Sequence, residues 1–143
     1  MHLLDEQILQ AFKEIAKRLV NLNREILSKI NIKQSYYKVL SVLSIKNNIN
    51  QTTLGDICAI DKPATSRLVN NMQKEDLIQK SLQNNNKKNI YITLTEKGKL
   101  LIKTINEKIN KIKTNYFNDL KDNDKKTFLN LLNKSLKREN ANA

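Results

Sequence analysis

Ser66, Arg67 and Asn70 are the side chains of this sequence whose types and spacing best suit specific chemistry. They fall within about one turn of a predicted helix, where arginine can grip guanine, asparagine can pair with adenine, and serine can bind a base or a phosphate. We predict such contacts here. Lys62 and Pro63 are expected to position the helix on the DNA backbone rather than to read bases. The alternative is an ordinary solvated helix face. The whole polar face consists of Lys62, Pro63, Ser66, Arg67, Asn70 and Lys74.

Two short helices with a tight turn between them must position this face. Asn50 can cap the first, predicted from Gln51 to about Ala59, and Asp61 can cap the second, which has Pro63 in its first turn and ends near Lys74. Such a pair is a helix-turn-helix. The first helix is predicted to bury Leu54, Ile57 and Cys58. The second is predicted to bury a stripe of Thr65, Leu68, Val69 and Met72.

A basic hairpin is predicted to follow. Residues 78–82 and 90–94 alternate apolar and polar side chains, which indicates two strands, and the polar tip between them carries Lys87 and Lys88. We predict phosphate or minor-groove contacts for both lysines, against the alternative that they only keep a loop soluble. Gln51 and Thr52 begin the first helix of the pair, where phosphate binding and plain capping are equal alternatives.

The remaining chain is predicted to be helical. Apolar side chains recur at helical spacing in residues 7–27, 34–46, 96–116 and in a last helix after Asp122. The predicted order is α-α-α-α-β-β-α-α, a mainly α fold with a small β-hairpin wing. We expect residues 33–98 to form a winged helix-turn-helix lobe and residues 1–32 and 99–143 a helical dimerisation region, because these long apolar stripes exceed what one small lobe can cover.

The net charge of +12 favours an anionic partner, and nucleic acid is the usual one. The excess of lysine and arginine is spread along the chain, and an AT-rich genome would also enrich Lys, Asn and Ile. No apolar stretch approaches membrane-spanning length, and the first residues are acidic, so we expect a cytoplasmic protein without a membrane partner.

The sequence lacks the residues that enzymatic catalysis requires. The two glycines are isolated, no nucleophile–base pair is visible, and His2 is the single histidine, so we expect neither catalysis nor a metal or cofactor. Cys58 is expected to be a small buried residue rather than a thiol sensor. For Tyr36 and Tyr37, core or interface packing is favoured over lining a ligand pocket.

Three segments resemble the MarR family of bacterial transcription regulators: 57–69 resembles its helix-turn-helix, 90–98 its second wing strand and Leu-Thr-x-x-Gly turn, and 128–136 its final helix. The resemblance implies a homodimer held by the first, fifth and sixth helices. It also implies binding to a pseudo-palindromic operator in double-stranded DNA, with two recognition helices about 34–36 Å apart. Repression, relieved by a small phenolic or lipophilic ligand, is implied as well.

The sequence departs from that family at the wing and after the recognition helix. Asn86-Lys87-Lys88 occupies the place of the family's Asp-x-Arg, and Asp76 replaces an expected glycine. Lysine keeps the positive charge but not the planar fork of arginine. Two other functions stay open beside a sequence-specific regulator: an architectural DNA binder of low specificity without a ligand, and a winged helix used only for protein contacts.

Overall fold

The computed structural model describes residues 2–85 and 88–142, with only the backbone described for Asn84 and residues 138–142. Within these residues the helices are α1 (His2–Lys29), α2 (Gln34–Ile45), α3 (Gln51–Ile57), α4 (Lys62–Lys74), α5 (Glu96–Lys113) and α6 (Asp122–Asn142). The strands are β1 (Ile49–Asn50), β2 (Ile78–Leu82) and β3 (Ile90–Leu94), and short 3-10 segments cover Gln83–Asn85 and Thr114–Phe117. The chain divides into two compact units, Met1–Ile109 and Asn110–Ala143.

The predicted hairpin is confirmed, and a short strand that the sequence did not reveal joins it. β2 and β3 pair antiparallel, with Ile78 opposite Leu94. β1 then pairs on the other side of β3, so the strand order is β1-β3-β2. Asn47, in the asparagine-rich turn before β1, accepts a hydrogen bond from the Leu94 backbone N–H at 3.0 Å. Two residues are too few to show an alternating pattern, which is why the sequence predicted only a turn here.

The first unit has a core built largely from the predicted apolar stripes. All four predicted residues of α2, Tyr36, Val39, Leu40 and Leu43, are buried. They pack in one cluster with residues of α4, the sheet and α5. The helix-turn-helix is therefore built directly onto the core, and the orientation of its outer face is fixed by that packing.

Ile57, which was predicted to be buried, and Leu82, an apolar residue of the predicted hairpin, are both exposed. Ile57 is 50% exposed, because α3 ends there and its inward side is formed by Leu54 and Cys58, which are four residues apart. Leu82 is also 50% exposed, since it is the last residue of β2.

Helix boundaries differ from prediction at several places. α1 begins at His2 instead of Gln7, α3 is two residues shorter than predicted, and α5 ends at Lys113, which leaves Tyr116 in a 3-10 segment. No helix among residues 2–85 and 88–142 combines the length and apolar character needed to cross a membrane.

Candidate nucleic-acid interface

α4 is fixed at its N-terminus by two predicted features, both confirmed. The Asp61 side chain accepts a hydrogen bond from the Ala64 N–H at 2.8 Å, and Pro63 lies in the first turn. An unpaired helix N–H is thereby satisfied, and the rigid ring of proline favours the helical backbone. The helix therefore starts at a defined residue, which sets the rotation of every side chain that follows.

The inner face of α4 packs tightly against α3. Thr65, Val69 and Met72 are buried and Leu68 is partly buried, as the stripe predicts. The Thr65 hydroxyl donates to the Asp61 carbonyl oxygen at 2.8 Å, which satisfies the one buried polar side chain of this stripe. A Cβ atom on Gly55 of α3 would lie 2.6 Å from the same hydroxyl oxygen. Glycine at this position permits the close approach of the two helices.

The outer face of α4 carries the predicted polar residues toward solvent. Lys62, Pro63, Arg67, Asn70 and Lys74 are exposed, whereas Ser66 is only partly exposed. With 13 residues, α4 is about 20 Å long, enough to lie in a major groove with its N-terminal half beside the bases. The structure thus brings five of the predicted site residues onto one helix face, together with Lys74.

Lys80 belongs to this surface and was missed by sequence reasoning. Its ammonium group donates to the side-chain oxygen of Asn70, and its backbone N–H donates to the side-chain oxygen of Gln73 at 3.2 Å. The alternation of β2 placed Lys80 on the same side as Ile78, which suggested an inward position. The contact with Asn70 depends on how β2 packs beside α4, and sequence periodicity within one strand does not contain that information.

The wing is described only in part. Lys88 is exposed near the start of β3, and the Gln83 N–H donates to the Asn89 carbonyl oxygen at 3.2 Å, closing the base of the tip. Lys87 and Asn86, which also belonged to the predicted wing contact, lie outside the described residues. Of the residues in the predicted wing contact, Lys88 is therefore the one that the structure describes.

The start of α3 is organised by a cap. The Asn50 side chain accepts a hydrogen bond from the Thr52 N–H at 2.9 Å. Plain capping, one of the two predicted alternatives, therefore accounts for the Thr52 N–H. The side-chain oxygen of Gln51 is buried, while Thr52 is exposed. Any phosphate contact here would therefore involve the Thr52 hydroxyl or the Gln51 side-chain amide.

Cys58 is buried, as predicted. It is 5% exposed, and burial raises the pKa of its thiol, with an opposing effect from the charge of Lys38. A high pKa lowers the thiolate fraction on which reactivity depends. Among the described residues, no group of three or more His, Cys, Asp and Glu is arranged to hold a metal ion.

A cleft of about 470 Å³ lies at the other end of α4, within the first unit. Its lining includes Lys33, Tyr36, Glu75, Leu77, Lys97 and Leu101. The Tyr36 hydroxyl donates to the Glu75 carboxylate at 2.7 Å, and the Lys97 ammonium donates to the Glu75 carbonyl oxygen at 2.9 Å. Tyr36 therefore packs in the core, as favoured, and also lines a cleft. Burial, and then the hydrogen bond to Glu75, raise the pKa of Tyr36 to about 12.

The sequence around the helix-turn-helix and the fold of the chain are both similar to those of known proteins. Residues 32–90 match the model of the MarR family. Over these residues the sequence is similar to that family. The match covers the helix-turn-helix, including all of α4, and most of the wing, and members of this family are DNA-binding transcription regulators and not enzymes. No curated protein matches the sequence of the chain.

Solved structures extend the likeness beyond residues 32–90. A MarR family protein from Bacillus stearothermophilus has a TM-score of 0.83 at 21% identity, over 98% of each chain. Wild-type MarR from E. coli, in the apo form, has a TM-score of 0.75 at 19% identity, over 89% of this chain and 94% of that one. NadR in complex with 4-hydroxyphenylacetate has a TM-score of 0.67 at 18% identity, over 89% and 90%. At such identities these matches establish the fold.

Proposed function

We propose that this protein is a homodimeric, sequence-specific transcriptional regulator that represses the genes next to its operator. The exposed polar face of α4 carries the proposal. Arg67 and Asn70 project from a helix whose inner face is locked into the core, and Lys62 and Lys74 add positive charge at its two ends. This arrangement suits a helix placed in the major groove, with arginine and asparagine at base edges and lysines at phosphates.

Residues 33–98 are proposed to be the DNA-binding lobe, with residues 1–32 and 99–143 joining two copies. Apolar faces that the chain leaves exposed support this division. On α1, Leu4, Ile8, Phe12 and Ile15 fall at helical spacing and are all exposed. On α6, Phe128, Leu131 and Leu136 are likewise exposed. Exposed apolar stripes of this length commonly mark protein interfaces.

The DNA contacts proposed outside α4 come from the start of α3 and from the wing. Thr52 and Gln51 would contact one phosphate. Lys88 and Lys87 would contact another phosphate or the minor groove. Repression would follow from occupancy, because a protein bound at a promoter excludes the polymerase from the same DNA. Since that target is chromosomal DNA, we expect the protein to act in the cytoplasm.

We further propose that a small phenolic or lipophilic ligand controls operator binding from the cleft beside Tyr36. Its volume of about 470 Å³ falls in the range of small-molecule sites. Leu77 and Leu101 offer apolar walls, and Lys33 and Lys97 offer positive charge. NadR, which shares the fold, has been solved with 4-hydroxyphenylacetate.

A footprint of the DNA flanking the protein's own gene tests the proposed function. We expect two protected half-sites related by two-fold symmetry, with centres about one helical turn, or a multiple of it, apart. Protection that spreads along the DNA without a preferred site would favour the architectural alternative, which the positive charge outside residues 33–98 supports. Absence of any protection at low salt would favour a module for protein contacts.

A further inference from the structure

Lys80 joins the edge strand of the sheet to α4. β2, which carries Lys80, pairs with β3 and lies at one end of the strand order β1-β3-β2. The Lys80 backbone N–H donates to the side-chain oxygen of Gln73 in α4 at 3.2 Å. The Lys80 ammonium donates to the side-chain oxygen of Asn70, about one turn earlier on the same helix. One residue of the wing therefore holds two amide side chains of α4.

The contact with Lys80 fixes which way the Asn70 amide points. An ammonium group has hydrogens to donate and cannot accept, so the amide must present its oxygen, and not its nitrogen, to Lys80. Lys80 is half-buried, whereas Asn70 is exposed on the outer face of α4. The groups that Asn70 offers to a partner beside α4 are then chiefly its two amide N–H donors.

Hydrogen-bond donors thereby dominate the outer face of α4. Arg67 lies three residues before Asn70 and carries donors only. Between Lys62 and Lys74 the helix contains no acidic residue. In the major groove, guanine presents two neighbouring acceptors, N7 and O6, while adenine presents one acceptor beside its N6 amino group. A face of donors is complementary to guanine.

We propose that Lys80 is a positioning residue that holds Asn70 as a hydrogen-bond donor, and that α4 consequently selects guanine over adenine at the base that Asn70 contacts. Pairing with adenine would bring the N6 amino group to the Asn70 oxygen, beside the Lys80 ammonium. Guanine places its O6 acceptor there instead, where a positive charge is favourable. The inference rests on the proposed function and names the base that this part of the site reads.

The experiment first isolates a tight operator duplex from a random DNA library with the wild-type protein. Failure to enrich any sequence refutes the proposed function itself. Each base pair of the enriched half-sites is then replaced in turn, and the affinities of the wild type and Asn70→Ala are compared. The base pair whose identity matters to the wild type but not to Asn70→Ala is the one that Asn70 reads. We expect guanine there; any other base, or no such position, overturns the inference.

Lys80→Met tests the positioning role, because it keeps an unbranched side chain and removes the ammonium. The wild type should bind the guanine operator about tenfold or more tightly than the same operator with adenine at this position. In Lys80→Met the Asn70 amide can turn and pair with adenine, so this preference should shrink to about twofold or less, or reverse. Lys80→Arg still donates to the Asn70 oxygen and should keep the preference for guanine. A preference that survives in Lys80→Met, or one lost equally in Lys80→Arg, overturns the positioning role.

Two controls separate this role from charge and from direct reading of the base. Lys74 is an exposed lysine at the end of α4, so Lys74→Met removes one charge and should weaken both operators alike. Asn70→Ala/Lys80→Met should show the same base preference as Asn70→Ala, because Lys80 acts through Asn70. A further change of preference in the double variant would mean that Lys80 reads the base itself, which overturns the inference. Each preference is a ratio of two affinities of one variant, so a reduced folded fraction cancels from it.

Discussion

Arg67 and Asn70 differ in how free they are to meet a base. Arg67 is exposed, whereas the side-chain oxygen of Asn70 already accepts a hydrogen bond from Lys80. Pairing with adenine uses the same oxygen as an acceptor, so the base would have to share it with Lys80 or displace that lysine. Lys80 can then turn to a phosphate. If α4 reads DNA as proposed, we therefore expect Arg67 to contribute the larger share of the sequence discrimination.

The raised pKa of Tyr36 predicts how the stability of the protein changes in alkaline solution. Its folded-state pKa of about 12 exceeds the ordinary value of 10.0, so the hydroxyl contributes stability that is intact below pH 10 and is lost as the pH rises through about 12. The chain has four tyrosines and no tryptophan, which makes tyrosinate absorbance easy to follow. We expect a late ionisation phase in the wild type that Tyr36→Phe lacks. The same late phase in both proteins would show that another tyrosine produces it.

The turn between α3 and α4 is the element that aims the proposed DNA-binding helix. Ala59 adopts a left-handed backbone with φ of 56°, and the Ile60 N–H donates to the Gly55 carbonyl oxygen at 2.9 Å, which closes the end of α3. A side chain with a Cβ atom is strained in this conformation. The short connection thus depends on an alanine held where glycine would be relaxed.

Replacing Ala59 tests this account of the turn. Ala59→Gly should raise the free energy of unfolding by about 0.5–1 kcal/mol, because glycine removes the left-handed strain. The matched control Ala64→Gly, in the first turn of α4, should lower it by about 0.5–1 kcal/mol. Urea denaturation followed by circular dichroism measures both. A shift of the two midpoints in the same direction would contradict the left-handed assignment.

Elements with a strong local signal were predictable from the sequence, and contacts between elements were not. Asn50 and Asp61 cap helices as expected, and Thr95 caps α5 in the same way, because capping depends on residues a few positions apart. Asp76 takes the left-handed position after α4, with φ of 59°, as its chemistry allows.

The Lys80–Asn70 and Tyr36–Glu75 contacts join residues 10 and 39 positions apart. Each depends on the packing of two elements against one another, which no periodic pattern within a single element specifies. The exposure of Ile57 has a different origin, because it follows from where α3 ends and the turn begins. The candidate site was therefore predicted along α4 and missed where β2 and α2 meet that helix.

At the scale of the whole molecule, the exposed apolar face of α1 predicts self-association. Phe12→Glu should convert a dimer to a monomer, because it places a charge among Ile8 and Ile15 on that face. Helical content of the variant should be close to that of the wild type, and its operator affinity should fall. Lys17→Gln, on the opposite side of α1, changes the net charge by the same one unit and is the control. Sedimentation equilibrium giving one mass for all three proteins would refute the dimer interface.

The central claim is that the exposed face of α4 recognises DNA sequence, and competition binding at physiological salt tests it most directly. The wild type should prefer its operator over random DNA by about a thousandfold or more. Arg67→Ala should reduce that preference by about 1–3 kcal/mol, while Lys88→Ala weakens operator and random DNA alike. Equal losses on both DNAs for Arg67→Ala, or a wild type with no preference at this salt concentration, would contradict the claim.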